Sequence, residues 1–105
     1  MKKNKSDEFE TREQDKSMRL DEDLLEVFAS MSDVDELNLF FEDLLTPAER
    51  EDLCLRWKLL KDLHRGVTQR KIAGKYGISL CKITRGSKIL KNKESVVLKV
   101  LDQKN

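Results

Sequence analysis

Residues 69–91 read QRKIAGKYGISLCKITRGSKILK, and every charged side chain in this stretch is basic. Residues 64–93 hold nine Lys and Arg and no Asp or Glu, whereas the rest of the chain holds 12 basic residues and all 20 acidic ones. A chain with a formal net charge of +1 therefore concentrates its positive charge in one segment. This distribution is typical of a module that binds a polyanion.

The spacing of small and apolar residues in this segment predicts a helix-turn-helix over residues 69–92. Two helices that cross steeply need a small residue where they approach, here Ala73, and a turn residue that tolerates positive φ, here Gly77. The inner side is filled by Ile72, Tyr76, Ile78 and Ile83. The second helix, which we expect Ser79 to cap, projects polar and basic side chains outward and suits the major groove of DNA.

The rest of the chain predicts helices and no strands. Charged residues make up 39% of the chain and aromatic residues 6%, and there is one proline. Apolar residues recur at helical spacing in six segments with short connections. The expected fold class is therefore all-α, a six-helix domain. The six segments are about 18–31, 34–45, 47–65, 69–76, 80–91 and 93–102.

Local signals predict where the longest helix begins and ends. Thr46 can cap its N-terminus, Pro47 suits the first helical position, and Glu49 can bond back to the cap amide. Gly66 can adopt the left-handed conformation at the C-terminus. Thr68 is then placed to cap the next helix.

The two ends of the chain differ in character. Residues 1–16 carry five basic and five acidic side chains without apolar periodicity, which predicts a disordered arm ahead of a helical domain over residues 17–105. No apolar run approaches the length needed to cross a bilayer, and no signal peptide is evident, so we expect a cytoplasmic protein without a membrane partner. The cysteine and histidine spacing predicts no metal site and no disulfide.

Three stretches, in order along the chain, resemble the tryptophan operon repressor family. They are LLTPAERE at 44–51, Arg65-Gly66 followed by Thr68-Gln69-Arg70, and KITRGS at 82–87 followed by Leu90-Lys91. The resemblance covers about residues 20–102. It implies an intertwined homodimer that binds double-stranded operator DNA, represses genes of tryptophan biosynthesis or uptake, and takes L-tryptophan as corepressor. It implies no enzymatic activity and no catalytic residue.

The resemblance also implies a tryptophan site. Arg56 and Arg85 would flank the indole and meet the ligand carboxylate, since a guanidinium stacks on aromatic rings. Thr46 and the backbone carbonyls of Asp43 and Leu45 would receive the ammonium group at a helix C-terminus. Gly86 would leave room beside the ring. Ile89 occupies a position where the family has serine, because this chain reads TRGSKILK where the family commonly reads TRGSNSLK.

For DNA, the resemblance implies phosphate contacts by Arg70 and Lys91. Base-facing positions are implied for four residues of the second helix, among which Lys82 can donate to guanine. Phosphate contacts set register and salt dependence, and base contacts set specificity. The full set of expected DNA-binding residues is Gln69, Arg70, Lys71, Leu80, Cys81, Lys82, Thr84 and Lys91.

Three other interpretations stay open at this point. Ile89 cannot hydrogen bond, and Trp57 stands where the family tends to have a smaller residue, so the chain fits a DNA-binding regulator of the same family with an altered ligand or no tryptophan dependence. Core packing is the other role for Trp57. An enzyme is disfavoured by the absence of a catalytic constellation around the lone His64. A protein-interaction module is disfavoured by the acid-free segment.

Overall fold

The computed structural model describes residues 19–104, and within that range the chain forms six helices and no strand. The predicted all-α class is therefore confirmed. The predicted disordered arm at 1–16 lies outside the described residues. Backbone contacts divide the chain between Leu44 and Leu45 into an N-terminal and a C-terminal unit. The helices are α1 (Glu22–Ser30), α2 (Val34–Leu44), α3 (Pro47–His64), α4 (Gln69–Tyr76), α5 (Leu80–Lys91) and α6 (Val96–Lys104).

The N-terminal unit contains α1 and α2, each of which starts beside an aspartate. Asp21 caps α1 by accepting a hydrogen bond from the Leu24 amide at 3.1 Å. Arg19 and Leu20, which we expected to be helical, precede that cap and are not helical. The carboxylate of Asp33 likewise accepts from the amide of Asp35, at 3.1 Å, just ahead of α2. Capping therefore outweighs apolar periodicity in deciding where α1 begins.

Three phenylalanines pack against one another within the N-terminal unit. The Phe28 ring stacks on Phe41 with centroids 5.2 Å apart and meets Phe40 edge to face at 5.5 Å. Such pairs add to the free energy of simple burial. Even so, neither α1 nor α2 contains a buried residue.

The C-terminal unit begins with the predicted capping box. The Thr46 hydroxyl accepts from the Glu49 amide at 3.2 Å, and the Glu49 carboxylate accepts from the Thr46 amide at 2.9 Å. Pro47 occupies the first turn, where its missing N–H costs nothing. At the other end Gly66 has φ 92°, and its amide donates to the Leu63 carbonyl. Both predicted ends of α3 are confirmed.

A tight turn joins α4 to α5. Thr68 caps α4 as predicted, accepting from the Lys71 amide at 3.2 Å. Gly77 ends α4 with φ 65° and donates its amide to the Ala73 carbonyl at 2.8 Å. Ser79 occupies the N-cap position of α5 with extended backbone, but its side chain makes no capping hydrogen bond. The expected side-chain cap at Ser79 is therefore wrong.

All four helices of the C-terminal unit contribute to one apolar core. Ile72 and Ile83 are fully enclosed, and Trp57 packs against the core from the side, which is the packing role considered for it above. Helix α6 starts three residues later than predicted, because the Ser95 hydroxyl caps it by accepting from the Leu98 amide at 3.1 Å. The buried core residues are Leu59, Leu60, Ile72, Ile83 and Leu101.

Two further properties hold for the described part of the chain. None of its helices combines the length and the apolar character that crossing a membrane requires. No group of three or more His, Cys, Asp or Glu side chains within residues 19–104 is arranged to hold a metal ion.

Candidate functional site

A cavity of about 110 Å³ lies between α3 and α5 and is partly open to solvent. Four residues that the family resemblance assigned to the ligand line it, namely Arg56 on α3 and Arg85, Gly86 and Ile89 on α5. An enclosed cavity of about 150 Å³ can hold one benzene ring, so this partly open cavity is somewhat smaller. Its full lining is Asp52, Leu55, Arg56, Leu59, Leu60, Lys82, Arg85, Gly86 and Ile89.

The cavity combines an apolar wall with an excess of positive charge. Three cations reach its lining from two helices, and one carboxylate, that of Asp52, stands among them. Leucines of α3 and Ile89 supply the apolar part. A small apolar group carrying a carboxylate matches this chemistry, because guanidinium groups pair bidentately with carboxylates and stack on planar rings.

Gly86 has a packing role that the sequence did not predict. A Cβ atom at this position would lie 2.9 Å from Cδ1 of Leu59 and 3.2 Å from Cδ1 of Leu63. Both distances are shorter than ordinary carbon contacts of about 3.5–4.0 Å. The glycine therefore allows α5 to lie close against α3, and it sets the width of the cavity between them.

The three residues expected to receive the ligand ammonium do not line the cavity that contains the other predicted ligand residues. Leu45 lines a shallow groove that shares Asp52 and Arg56 with the cavity. Thr46 is engaged in the capping box and does not line the cavity. Asp43 is an exposed residue of α2, in the N-terminal unit. The cavity of the C-terminal unit thus brings together the predicted arginines without these three.

Five lining residues were not predicted as ligand residues: Asp52, Leu55, Leu59, Leu60 and Lys82. A signal for those on α3 exists in the sequence, because positions 52, 55, 56 and 59 follow helical spacing along one face of α3. Lys82, which we had assigned to DNA alone, also lines the cavity. Once Arg56 is assigned to the ligand site, helical periodicity predicts that the other residues on its face of α3 also line that site.

The predicted DNA-binding residues form an exposed surface on α4 and α5. Leu80 opens α5 with 53% of its surface exposed, and Cys81, Lys82, Thr84 and Lys91 are exposed on the same helix. At the first turn of α4, Arg70 and Lys71 are exposed and Gln69 is half-buried. The Thr84 hydroxyl donates to the Leu80 carbonyl at 2.9 Å. These helices present basic and small side chains with no carboxylate among them.

A buried carboxylate anchors α4 to α3. Asp62 is 6% exposed, accepts from the Tyr76 hydroxyl at 2.7 Å and from the Lys75 ammonium at 3.1 Å, and has Arg65 at 3.7 Å. The Tyr76 hydrogen bond, helped by Lys75 and Arg65, lowers the pKa of Asp62 although burial acts to raise it. Two cations of the acid-free segment, Lys75 and Arg65, are therefore paired with an acid from outside it, and no local pattern revealed the contact of Lys75 with Asp62.

Comparison with known proteins places the chain in a family. The profile of the family described as Trp repressor protein matches residues 20–105. A Trp operon repressor homolog of Chlamydia caviae is 40% identical over 70 residues, which cover 66% of this chain and 69% of that protein. A Trp operon repressor homolog of Chlamydia trachomatis serovar D is 46% identical over 57 residues, or 50% of this chain and 61% of that protein.

A third relative, the Trp operon repressor homolog of Xylella fastidiosa strain M23, is 35% identical over 65 residues, which cover 61% of this chain and 71% of that protein. The matched part spans less than two thirds of the length of the Chlamydia trachomatis relatives. No solved structure matches the chain significantly. With a family profile that matches the whole described helical region, the chain belongs to the Trp repressor family of transcriptional repressors, which is not an enzyme family.

Proposed function

We propose that the protein is a cytoplasmic, homodimeric repressor that binds operator DNA in the major groove, with L-tryptophan as its corepressor, and controls genes of tryptophan biosynthesis or uptake. The supporting observation is that one helix serves two surfaces. Helix α5 contributes Arg85, Gly86 and Ile89 to the cavity, and it exposes Leu80 and Cys81 on the surface assigned to DNA. Any ligand that moves α5 must change how that surface meets DNA.

The DNA surface divides into positioning and reading residues. Arg70, Lys71 and Lys91 meet phosphates, which fix the register of the protein on the duplex. On α5 the exposed Leu80 can contact a thymine methyl group, and Lys82 can donate to guanine. Gln69, Cys81 and Thr84 make the remaining contacts of this surface with DNA.

Two copies of the chain are needed for a specific complex. Helix-turn-helix dimers place two recognition helices about 34 Å apart in successive major grooves. The Trp repressor is one of the proteins from which this geometry was first described. The uncovered apolar side chains of α1 and α2 supply a surface for the second copy, because neither of these two helices contains a buried residue. The proposed dimer therefore uses the N-terminal unit for association and the C-terminal unit for DNA.

The ligand acts by stabilising the arrangement of α5 that suits DNA. Arg56 and Arg85 flank the indole ring and meet the ligand carboxylate. Because the cavity is partly open, an indole that enters it can extend from its open side. Tryptophan raises DNA affinity only as far as it binds the DNA-competent arrangement more tightly.

One observation favours a second candidate, a DNA-binding regulator of the same family with an altered ligand or no tryptophan dependence. Ile89 lines the cavity with hydrocarbon at the position where the family commonly has a serine hydroxyl. A ligand held there loses one hydrogen-bond partner, which is worth about 0.5–1.5 kcal/mol. Any tryptophan affinity must therefore come from the rest of the cavity.

A single experiment separates the two candidates. DNA is selected from a random pool by the purified full-length protein, once with and once without 1 mM L-tryptophan. The recovered sequence is then used for mobility shift at fixed salt over a range of L-tryptophan concentrations. We expect affinity to rise at least tenfold with the ligand. Equal affinity with and without tryptophan would rule out the corepressor role and favour the second candidate, and failure to select any sequence would rule out both.

A further inference from the structure

Arg56, Lys82 and Arg85 give the cavity three cations that can pair with a ligand carboxylate. A ligand that also carries an ammonium group needs a negatively charged or hydrogen-bond-accepting partner. Thr46 and Leu45 do not line it, and Ile89 offers only hydrocarbon. Among the lining residues, Asp52 is the one with a carboxylate. It lies on α3, one helical turn before Arg56, and it also lines the neighbouring shallow groove.

We propose that Asp52 binds the ammonium group of the ligand and makes the cavity selective for aromatic α-amino acids over the corresponding acids that lack the amino group. The inference rests on the proposed function, since it concerns the same cavity. It assigns a specificity-determining role to a residue that the family resemblance does not include in the site.

The spacing of the charges fits an amino acid. Asp52 and Arg56 stand at i and i+4 on α3, so their Cβ atoms are about 5–6 Å apart on one helix face. An α-amino acid carries its ammonium and carboxylate on a single carbon, so one ligand can reach both side chains at once. Arg85 approaches from α5 and can share the carboxylate or cover the ring.

The charges that line the cavity predict that loss of Asp52 affects binding of an amino acid and of its desamino acid differently. With Asp52 present, the lining has three cations and one anion, and an amino acid without net charge can satisfy one of each. Without the Asp52 charge, the lining is purely cationic and favours a ligand with a net negative charge. Removing this carboxylate should therefore weaken binding of an amino acid while leaving or strengthening binding of its desamino acid.

The test is calorimetric titration of the full-length protein with two probes, L-tryptophan and indole-3-propionate, which keeps the ring and carboxylate but lacks the amino group. Asp52→Asn removes the charge at nearly constant size. Glu51→Gln is the matched control, because Glu51 is the adjacent exposed carboxylate of α3 and lines a different groove. Circular dichroism checks that each variant retains its helices.

We expect Asp52→Asn to weaken L-tryptophan binding about tenfold, a loss typical of one charge-assisted hydrogen bond at a partly exposed site. Indole-3-propionate should bind equally well or better, and Glu51→Gln should change neither affinity. Equal weakening for both probes, or no change for L-tryptophan, would overturn the assignment of Asp52 while the proposed function stands. If the wild-type protein binds neither probe, the proposed ligand site is wrong and this inference falls with it.

Discussion

The two units of this chain reach stability by different means. In the C-terminal unit, α3 to α6 enclose five buried apolar residues and join through capped turns. In the N-terminal unit, α1 and α2 are also amphipathic, yet they contain no buried residue. Val34, the first residue of α2, remains 79% exposed. The C-terminal unit therefore has an apolar core, whereas α1 and α2 have exposed apolar side chains and no buried residue.

Charge separates the same two regions. Residues 21–43 contain nine Asp and Glu and no Lys or Arg, whereas residues 64–93 contain nine Lys and Arg and no Asp or Glu. DNA attracts the second region and repels the first. The proposed apolar association and the proposed DNA contact therefore fall on different helices, so each can be disturbed separately.

The largest expected effect is on the core of the C-terminal unit. Ile83→Ala should lower the free energy of unfolding by about 2–5 kcal/mol, because the side chain is fully buried and its removal leaves a cavity. Urea unfolding followed by circular dichroism measures the loss. The control Lys99→Ala, at an exposed site on α6, should stay within about 0.5 kcal/mol. A loss below 1 kcal/mol for Ile83→Ala would show that this unit does not depend on its core.

The next prediction tests the exposed apolar surface of the N-terminal unit. Leu39 is 59% exposed on α2, so Leu39→Asp costs that unit little by itself. In the proposed dimer the new charge would be buried, and we expect the dimer dissociation constant to rise at least a hundredfold, which corresponds to about 2.7 kcal/mol. Sedimentation velocity over a concentration series measures it. Gln103→Asp on α6 adds the same charge elsewhere, and equal weakening by both variants would contradict the assignment of the interface.

A smaller effect, dependent on pH, is expected at Asp62. Its pKa is lowered in the folded protein, first by the Tyr76 hydroxyl and then by Lys75, so the folded state binds fewer protons than the unfolded state there. The stabilisation is complete above the ordinary value of 3.8 and is lost as the pH falls through the lower folded value. Asp62→Asn should cost about 1–2 kcal/mol at pH 7 and progressively less below pH 4.

Urea unfolding at pH 7, 5, 4 and 3 provides the measurement for Asp62. Glu26→Gln, on the exposed side of α1, serves as the control and should leave the profile of the wild type unchanged. A constant difference between wild type and Asp62→Asn at all four values would show that the carboxylate charge contributes nothing.

The smallest expected effect is on the salt dependence of DNA affinity, which reports the number of cations that contact phosphates. Lys91→Gln should reduce the slope of log affinity against log salt by about 0.9 for each copy bound, since one phosphate contact is lost. Lys75→Gln should leave the slope nearly unchanged, because the Lys75 ammonium is held by Asp62 at 3.1 Å. Mobility shifts between 50 and 200 mM salt measure both. Equal reductions would show that Lys75 leaves Asp62 to bind DNA.

Local signals accounted for most of the helix ends. The Thr46 capping box and the left-handed Gly66 and Gly77 were predictable, because each depends only on residues within one turn. At α1 two local signals competed, and the helix starts at the Asp21 cap rather than with the apolar repeat. Ser79 has the backbone of a cap without its hydrogen bond, a difference that the sequence does not reveal.

The cavity was predictable only in part. Family resemblance pointed to Arg56 and Arg85, which the fold brings to one cavity from α3 and α5. The contact of Asp62 with Tyr76 joins residues 14 positions apart and depends on how α4 packs against α3. No periodicity within one helix can reveal such a pair, because its distance is set by the core. The position of Asp52 beside Arg56, in contrast, follows from helical spacing along α3.

If α5 reads DNA as proposed, Gly86 limits which helices could replace it. Substitutions at Leu80 or Cys81 change an exposed surface and leave the packing of α5 unchanged. A side chain at position 86 would instead push α5 away from Leu59 and Leu63 and alter the ligand site at the same time. A helix grafted from another regulator would therefore keep this close packing only if it carries glycine six positions after its first residue, as Gly86 follows Leu80 here.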